Sequence, residues 1–594
     1  MASTEEVNGR LRRGFGVRST PSRRQAALFL AKAWCFRLQR WLRDPAGSRP
    51  QRLGRQPVVT DAPLLALSRS PLYTSEVAAE FILQAGKVEN LRIAARRLNG
   101  IVIPAGGLFS FWRQLSRPTR WRGFVRGREL REGCVIASIG GGLCQLSNAL
   151  YDAALTAGCE IVERHAHSRR LPGSMAARGR DATIFWNYVD LRFRAMVDCQ
   201  LAVALTRDEL TVTIRRIGEG GGQSRRREAA EPSRIAAAAI AESCESCGMT
   251  GCFRHGDAAH ADAITAWLVD AWWPEHAAYV REQAQPDDWL FTPLDSGRLG
   301  IGPYRWPSER FTVVRHAPWL VAQRSRRSRR LTAQGAARQE ALLAMDAALA
   351  RHYSRRLPVS ASHLVVSQTL LPFLWRDGAL GGRRFDVLMT RLPMAELHAT
   401  LDRAARTWPQ SRTLSDFRAD PDLLAAESTA LAAADRWITP HSRIAALAGA
   451  RAERLSWDIP LASGAQGTQR NRLVFPATTL GRKGAYELRE AAQELGLLLT
   501  LGGPTLEADD FWDGMTTVHG SDAWLRDTAA VVLPAWIEDQ PRRLLQAIAA
   551  GIPVIASEAC GLDGMAGVRV VPTGDTHALR EALHSVVPRS CDRI

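Results

Sequence analysis

The 594-residue sequence predicts a multidomain α/β fold, in which an α+β N-terminal domain is followed by two Rossmann-like domains. The length is the first reason, because it leaves room for about three or four domains and exceeds what one core usually supports. The second is a set of helix and strand patterns that closes near residue 216 with two antiparallel strands. The third is the alternation of strand-like runs with Ala- and Leu-rich helical runs from about residue 257 onwards, which is typical of parallel sheets covered by helices.

The patterns of the first domain predict two helices, over 72–99 and 144–157. Strands are predicted there over 101–103, 108–112, 134–138, 160–165, 182–186, 191–195, 201–205 and 210–214. In the later domains strands are predicted over 289–292, 311–314, 364–367, 385–389, 437–439, 472–475, 497–501, 531–533, 554–556 and 568–571. The expected organisation is a basic arm over 1–57, the first domain over 58–216, a linker over 217–240, a Cys/His cluster over 241–256, and α/β domains over 257–440 and 441–590.

The basic arm contributes much of the formal charge of +18. Such an arm suits anionic lipid or an acidic polymer and is equally explained as a solvated tail, whereas nucleic acid is disfavoured as a partner. Residues 26–42 predict an amphipathic helix that packs onto the adjacent domain or, less favoured, rests on the inner membrane surface. No apolar run reaches the length of a membrane span, and no signal-peptide cleavage pattern follows. We therefore expect a cytoplasmic protein with at most peripheral membrane contact.

The first domain contains a candidate thiol site. Gly140–Gly142 permit a sharp turn and place Cys144 in the first turn of a helix, where the helix dipole and unpaired N–H groups favour a thiolate. His165 and His167 follow on a predicted strand, and Asp181 comes after them. This order is that of papain-like thiol enzymes, in which the His takes the thiol proton and the Asp orients the His. The alternative is structural, because a buried Cys often acts as a small hydrophobe and packed His residues are common.

The residues around this site resemble the VanW family, which is named after vancomycin-resistance gene clusters. The shared motifs are GGGLCQLSN from residue 140, ERHAHSR from residue 163, GRDATI from residue 179, KVENL from residue 87 and PAGGLFSF from residue 104. The resemblance extends over roughly residues 25–215. It implies a VanW-like α+β module but supplies no settled reaction, so the activated-cysteine hypothesis rests on the order of residues along the chain.

A cysteine-rich segment follows the first domain. Cys244, Cys247, Cys252 and His255 have the spacing C-x2-C-x4-C-x2-H, and three thiolates with one imidazole are an accepted zinc-binding set. We therefore predict a structural zinc site at the boundary between the modules. An iron–sulfur cluster and a loop of reduced cysteines without metal are the open alternatives.

Two segments near the C-terminus suit a nucleoside diphosphate. Arg482, Lys483 and Gly484 follow a predicted strand and open a helix, and a basic loop at a helix N-terminus is suited to a diphosphate. The alternative is a basic helix start without an anion, which the helix dipole disfavours. The second segment places an acidic loop with Glu538 between a strand and a helix that contains Gln546.

Together these segments resemble the nucleotide-sugar domain of retaining GT-B glycosyltransferases over about residues 440–590. In that family a Lys-Gly pair follows the first strand and two acids mark the last motif, so the resemblance implies donor contacts from Lys483, Glu538 and Gln546, which replaces the second acid. It also implies a degenerate acceptor-side domain over 257–440 and a UDP- or GDP-type sugar donor. Transfer would need no metal, because Lys483 and Arg482 would stabilise the diphosphate while Glu538 orients the sugar.

The predicted function is transfer of a sugar from a nucleotide-diphosphate donor to a cell-envelope or polysaccharide acceptor, by a transferase fused to a VanW-like module. One alternative is a thiol-dependent acyl or peptide-bond enzyme that uses Cys144, one of the two histidines and Asp181. The other is a non-catalytic envelope assembly protein. Nucleotide binding and the reactivity of Cys144 separate the three hypotheses.

Overall fold

The computed structural model describes two compact units of the chain. The described residues are 31–32, 34–36, 38–40, 42, 50–75, 77–131, 134–167, 179–218, 263–294, 302–331, 335–461, 472–493, 498–520 and 524–586. The first unit comprises the described residues up to Ala263 together with Pro358–Ser362 and Gly378–Arg383. The second comprises the described residues within Ile264–Leu357, His363–Asp377 and from Arg384 onwards.

The first unit is an α+β domain built around antiparallel sheets. Its elements in chain order are β1 Leu64–Pro71, α1 Phe81–Leu98, β2 Ile101–Ile103, β3 Leu108–Ser110, α2 Phe111–Leu115, β4 Arg126–Arg131, β5 Cys134–Ile139, α3 Leu143–Thr156, β6 Glu160–Glu163, β7 Arg192–Arg194, β8 Cys199–Leu205 and β9 Glu209–Arg216. One sheet has the order β1-β9-β8-β2, another the order β3-β7-β6, and β4 pairs with β5. Helices α1 and α3 share one buried apolar core with these sheets. The predicted closing pair of antiparallel strands is confirmed as β8 and β9.

The second unit contains two sheets with the Rossmann strand order. Its elements are β10 Ile264–Leu268, α4 Pro274–Gln283, β11 Trp289–Thr292, β12 Val313–His316, α5 Pro318–Arg329, α6 Ala336–Ser354, β13 Ala361–Ser367, α7 Leu371–Arg376, β14 Arg384–Leu388, α8 Met394–Thr407, α9 Pro421–Ala433, β15 Arg436–Thr439, α10 Ser442–Ala448, β16 Ala452–Arg454, β17 Arg472–Phe475, α11 Ala485–Gln493, β18 Leu499–Leu501, β19 Thr517–His519, β20 Thr528–Leu533, α12 Arg542–Ala549, β21 Val554–Ser557, β22 Val568–Val571 and α13 Thr576–Val586. The strand orders are β12-β11-β10-β13-β14-β15-β16 and β19-β18-β17-β20-β21-β22. If the strands of each sheet are numbered from 1 in chain order, both sheets have the strand order 3-2-1-4-5-6, and the first sheet adds a seventh strand at its end. This doubly wound order opens a ligand crevice where the order reverses.

Three predicted elements of the first unit differ from those observed. The strand predicted over 108–112 stops at Ser110, whose hydroxyl accepts a hydrogen bond from the Arg113 N–H at 3.3 Å and caps α2. The strand predicted over 182–186 has only an isolated bridge between Phe185 and Val189. The helix predicted over 72–99 begins at Phe81 after a short 3-10 turn.

The N-terminal helix contacts other parts of the first unit. The described residues between 31 and 42 are helical. The Phe36 ring stacks on Tyr188 with a centroid distance of 5.9 Å, and Arg40 donates two hydrogen bonds to the Glu163 carboxylate at 2.9 and 2.6 Å. Trp34 and Leu42 remain 63% and 66% exposed. Within the described part of the chain, no helix is long and apolar enough to cross a bilayer.

Candidate functional site

A cavity lies at the point where the strand order of the second Rossmann sheet reverses. The first, second and fourth strands of this sheet, β17, β18 and β20, end side by side. The loops that follow these strands line a cavity of about 370 Å³, together with Arg482, Lys483, Glu538 and the start of α12. Ligands of doubly wound folds bind outside the carboxyl ends of the strands at this position.

Lys483 and Glu538, which come from separate sequence motifs, meet in this cavity. The Lys483 ammonium lies 2.9 Å from Glu538 Oε2 and donates to the Ile537 carbonyl at 3.1 Å. The second carboxylate oxygen of Glu538 accepts from the Gln540 N–H at 3.0 Å. The two loops are also joined by their backbones, because the Arg482 carbonyl accepts from the N–H groups of residues 536 and 537 at 2.9 and 3.1 Å. The sequence-predicted basic and acidic residues are therefore assembled into one site.

Gly484 lets these two loops approach each other. Its φ is +77°, and a Cβ at this position would lie 2.0 Å from the Pro534 carbonyl oxygen.

We expect Gly484→Ala to lower the melting temperature clearly more than Gly551→Ala. Gly551 has φ +67°, and no atom lies within 4 Å of the position that a Cβ would take. An alanine there should therefore cost only the strain of the left-handed backbone, about 1–2 kcal/mol. Equal shifts in the two variants would contradict the close approach.

A second cavity of about 370 Å³ adjoins the first. It opens at the carboxyl ends of β10, β13 and β14, and it shares Arg482, Lys483, Glu538 and Gln540 with the first cavity. Asp270, which follows β10, lines it. Arg324 donates to Asp270 Oδ1 at 2.9 Å and lies 3.5 Å from Asp346. Burial and the neighbouring Asp270 carboxylate raise the pKa of Asp346 above its usual value.

His441 has a structural environment next to the acidic loop. Its Nε2 lies 3.2 Å from the carbonyl oxygens of Glu538 and Ala559, and a Cβ on Gly561 would lie 2.3 Å from its Nδ1. Burial lowers the pKa of His441, which keeps the ring neutral. His441 thus supports the backbone of the Glu538 loop. It is not one of the described residues that line the two cavities.

The cavity differs from the sequence expectation in its α12 residues. Gln546 is exposed on α12 and is not among the described residues that line the cavity. Arg543 lines it instead and donates to the carbonyls of Pro476 and Gly502 at 2.7 and 2.6 Å, which joins the loops after β17 and β18. The sequence signal for this second loop is the Gly502-Gly503 pair directly after a predicted strand.

The first unit brings together Cys144, His167 and Asp181. Gly142, with φ +98°, is the N-cap of α3, so Cys144 lies in the first turn of that helix. Asp181 is fully buried and accepts hydrogen bonds from the backbone N–H of His167 at 2.6 Å and from its ring Nδ1. The hydrogen bond between His167 and the Cys144 sulfur, helped by Asp181, raises the pKa of His167 to about 9.

His165 does not belong to this cluster. Its Nε2 pairs with Glu163 at 3.3 Å, and its side chain is half exposed. The prediction that both histidines lie on a strand is wrong, because β6 ends at Glu163. The chain then leaves the sheet. The Arg164 side chain donates to the Asp181 carbonyl, and the His165 carbonyl accepts from the Thr183 N–H.

The predicted metal ligands Cys244, Cys247, Cys252 and His255 lie outside the described residues. Among the described ranges, no group of three or more His, Cys, Asp or Glu side chains is arranged to hold a metal ion. The zinc site stays a prediction from the sequence.

Comparison with known families assigns two parts of the chain. A family model described as VanW like protein matches residues 86–216, and one described as Glycosyl transferases group 1 matches residues 499–588. The vancomycin B-type resistance protein VanW of Enterococcus faecalis is 34% identical over 141 residues, which are 23% of this chain and 51% of that protein. The uncharacterized protein YoaR of Bacillus subtilis is 33% identical over 105 residues, which are 18% of this chain and 34% of that protein. The chain thus spans about half the length of the first relative and about a third of the second.

Solved structures of sugar-transferring enzymes align with the chain at low identity. Sucrose-phosphate synthase from Thermosynechococcus elongatus covers 55% of this chain and 90% of its own, with 16% identity and a TM-score of 0.33. The lipopolysaccharide outer core galactosyltransferase WaaB covers 55% of this chain and 90% of its own, with 11% identity and a TM-score of 0.31. Cys144, His167 and Asp181 fall in the first matched family region, and Glu538 in the second. The chain therefore joins a VanW-like region to a group 1 glycosyltransferase region.

Proposed function

We propose that the second unit transfers a sugar from a UDP- or GDP-type donor to a cell-envelope or polysaccharide acceptor, with retention of the anomeric configuration. The observation that carries this proposal is the position of the Lys483–Glu538 pair. The pair lies where the crevice of the second sheet meets a second cavity at the carboxyl ends of the first sheet. A reaction between two bound substrates needs such a junction.

The first cavity suits the nucleoside diphosphate. Lys483 and Arg482 line it beside the start of α11, so positive side chains and helix N–H groups converge there. Charge that develops on the leaving diphosphate would be stabilised by these groups. Glu538 pairs with Lys483 before donor binding, and it would accept hydrogen bonds from sugar hydroxyls once the diphosphate draws the ammonium away.

The second cavity suits the acceptor. Asp270 lines it with a buried carboxylate, which is held by Arg324 at 2.9 Å and by the Thr369 hydroxyl at 3.4 Å. A carboxylate placed in this way can accept a hydrogen bond from the acceptor hydroxyl and take part of its proton during transfer.

We expect Asp270→Asn to reduce transfer to a sugar acceptor about 100-fold while UDP or GDP still binds, because the amide cannot accept the hydroxyl proton. Asp287→Asn, which removes an exposed carboxylate from the loop before β11, is the control and should behave as the unsubstituted chain. The measurement is transfer to a panel of simple sugar acceptors, alongside nucleotide binding by calorimetry. Equal transfer by the two variants would remove Asp270 from the acceptor site.

The proposal as a whole is tested with a panel of UDP- and GDP-sugars. Binding is read as thermal stabilisation of the full chain, turnover as hydrolysis or transfer, and stereochemistry as the anomer of the first product by proton NMR. The expected result is turnover of one donor with the anomeric configuration kept. An inverted anomer would overturn retention, and failure of every donor to bind or turn over would overturn the proposed function.

A further inference from the structure

We propose that Cys144, His167 and Asp181 of the first unit form a second active site, which transfers the acyl group of an amide substrate to water through a thioester on Cys144. The inference does not depend on the glycosyl transfer proposed for the second unit. It rests on the way in which α3 holds all three side chains.

Helix α3 carries the cysteine and also fixes the segment that bears the acid. Ser147, which lies one turn after Cys144, donates its hydroxyl proton to the Ala182 carbonyl. Asn148 accepts from the Ala182 N–H at 2.8 Å through its side-chain oxygen. Both backbone groups of the residue after Asp181 are therefore bound to the helix, which sets the distance between the acid and the helix N-terminus.

Asp181 in turn fixes the imidazole. It holds His167 by two hydrogen bonds, one to the backbone N–H and one to Nδ1. His167 also hydrogen-bonds the Cys144 side chain, and because Asp181 occupies Nδ1, we assign this bond to Nε2. Cys144 and Asp181 are the titratable groups that interact with the His167 ring, while Arg164 holds the Asp181 backbone at 2.6 Å. The acid is a positioning residue, and the thiol and imidazole face the substrate.

The glycine loop before α3 is held by the opposite helix. Asn90 of α1 is fully buried and donates to the carbonyls of Gly141 and Val125 at 3.0 and 3.1 Å. A Cβ on Gly142 would lie 2.1 Å from the Lys87 side chain. The glycine loop is thereby fixed against α1, and it accepts hydrogen bonds from the N–H groups of Leu143 and Gln145 at 3.4 and 3.0 Å. Among the described residues, the Cys144 N–H has no such backbone partner within the loop. The Cys144 N–H suits the oxyanion that forms when the Cys144 sulfur attacks a carbonyl.

In the proposed reaction His167 takes the proton of Cys144, and the resulting thiolate–imidazolium pair is the reacting state. The Cys144 sulfur attacks the amide carbon and forms a C–S bond, and the oxyanion then collapses to break the C–N bond. His167 gives its Nε2 proton to the leaving amine, so a neutral amine departs and a thioester remains. Water attacks the thioester and gives one proton to His167, which releases the carboxylic acid and restores the ion pair. An amide is the preferred class, because an amine leaves only after it has been protonated.

The test is alkylation of the full chain by iodoacetamide between pH 5 and 9, with the modified cysteines identified by mass spectrometry. In an ion pair the Cys144 rate is expected to be nearly flat down to about pH 6, whereas an ordinary thiol is only about 0.3% ionised there. Cys159 and Cys199 are internal controls, because burial raises their pKa to about 11 and about 12. His167→Gln should slow Cys144 alkylation at pH 6 about 100-fold and restore the slope of a free thiol.

Acyl transfer is tested with p-nitrophenyl acetate. The expected result is a burst of p-nitrophenol with an acetyl group on Cys144, absent in Cys144→Ala and shifted in pH profile by Asp181→Asn. If a variant fails to fold, the alkylation rate of Cys144 is compared between the native and the urea-denatured chain. An ion pair should make the native rate about 100-fold higher than the denatured rate at pH 6. Equal native and denatured rates, or acetylation confined to other residues, would overturn the proposal.

Discussion

Lys483→Ala is expected to lower glycosyl transfer about 10²–10³-fold, the loss seen when one group that stabilises developing charge is removed from an active site. The loss should appear in kcat as well as in KM, because the diphosphate carries more charge as it leaves than in the bound donor. Lys483 is only 19% exposed, so water replaces its ammonium poorly. The measurement is initial rates with the best nucleotide sugar, together with thermal stabilisation by UDP or GDP.

Arg526→Ala is the matched control for this experiment. It removes one positive charge from an exposed position of the same domain that lines neither cavity. A rate within a factor of two of the unsubstituted chain is expected. If the two variants lose activity equally, general electrostatic attraction rather than a diphosphate contact explains the effect.

Most strands of the Rossmann sheets could be predicted because they are short apolar runs, whereas β10, β16 and β19 were not predicted. β17, β20 and β21 are buried on both faces, and hydrophobic runs of this kind stand out in a sequence. β1 did not stand out. Its inward positions include Ser68 and Ser70, which are 1% and 5% exposed, so the strand lacks the usual alternation of apolar and polar residues.

The two candidate sites were predictable in composition and less so in geometry. Lys483 and Glu538 followed from separate motifs, but their ion pair depends on two loops from different strands, whose approach requires Gly484. His165 and His167 were equivalent in the sequence, since both lie near the same predicted strand. The end of β6 at Glu163 and the burial of Asp181 select His167. These are tertiary facts that local patterns do not contain.

Arg542→Met is expected to destabilise the second unit by about 3–5 kcal/mol, the usual cost of breaking a buried ion pair by removing one partner. Arg542, at the start of α12, donates two hydrogen bonds to Glu275 of α4 at 2.6 and 2.7 Å. The Glu275 side chain is fully buried, and of its hydrogen bonds within the described part of the chain its carboxylate would keep the one from the Asp458 N–H at 3.0 Å. The guanidinium also lies 5.6 Å from the ring centroids of Trp273 and Trp457, and these contacts would be lost.

The double variant Glu275→Leu with Arg542→Met separates the ion pair from the packing. If the buried charge is the main cost, the double variant should be more stable than Arg542→Met alone, because no unpaired carboxylate remains. Urea unfolding followed by Trp fluorescence gives the comparison. Arg384→Met, which breaks an exposed pair with Asp435 at 2.8 Å, is the control and should change the stability by at most about 1 kcal/mol. A double variant less stable than Arg542→Met would instead indicate that the aromatic and guanidinium packing, rather than charge compensation, holds α12 against α4.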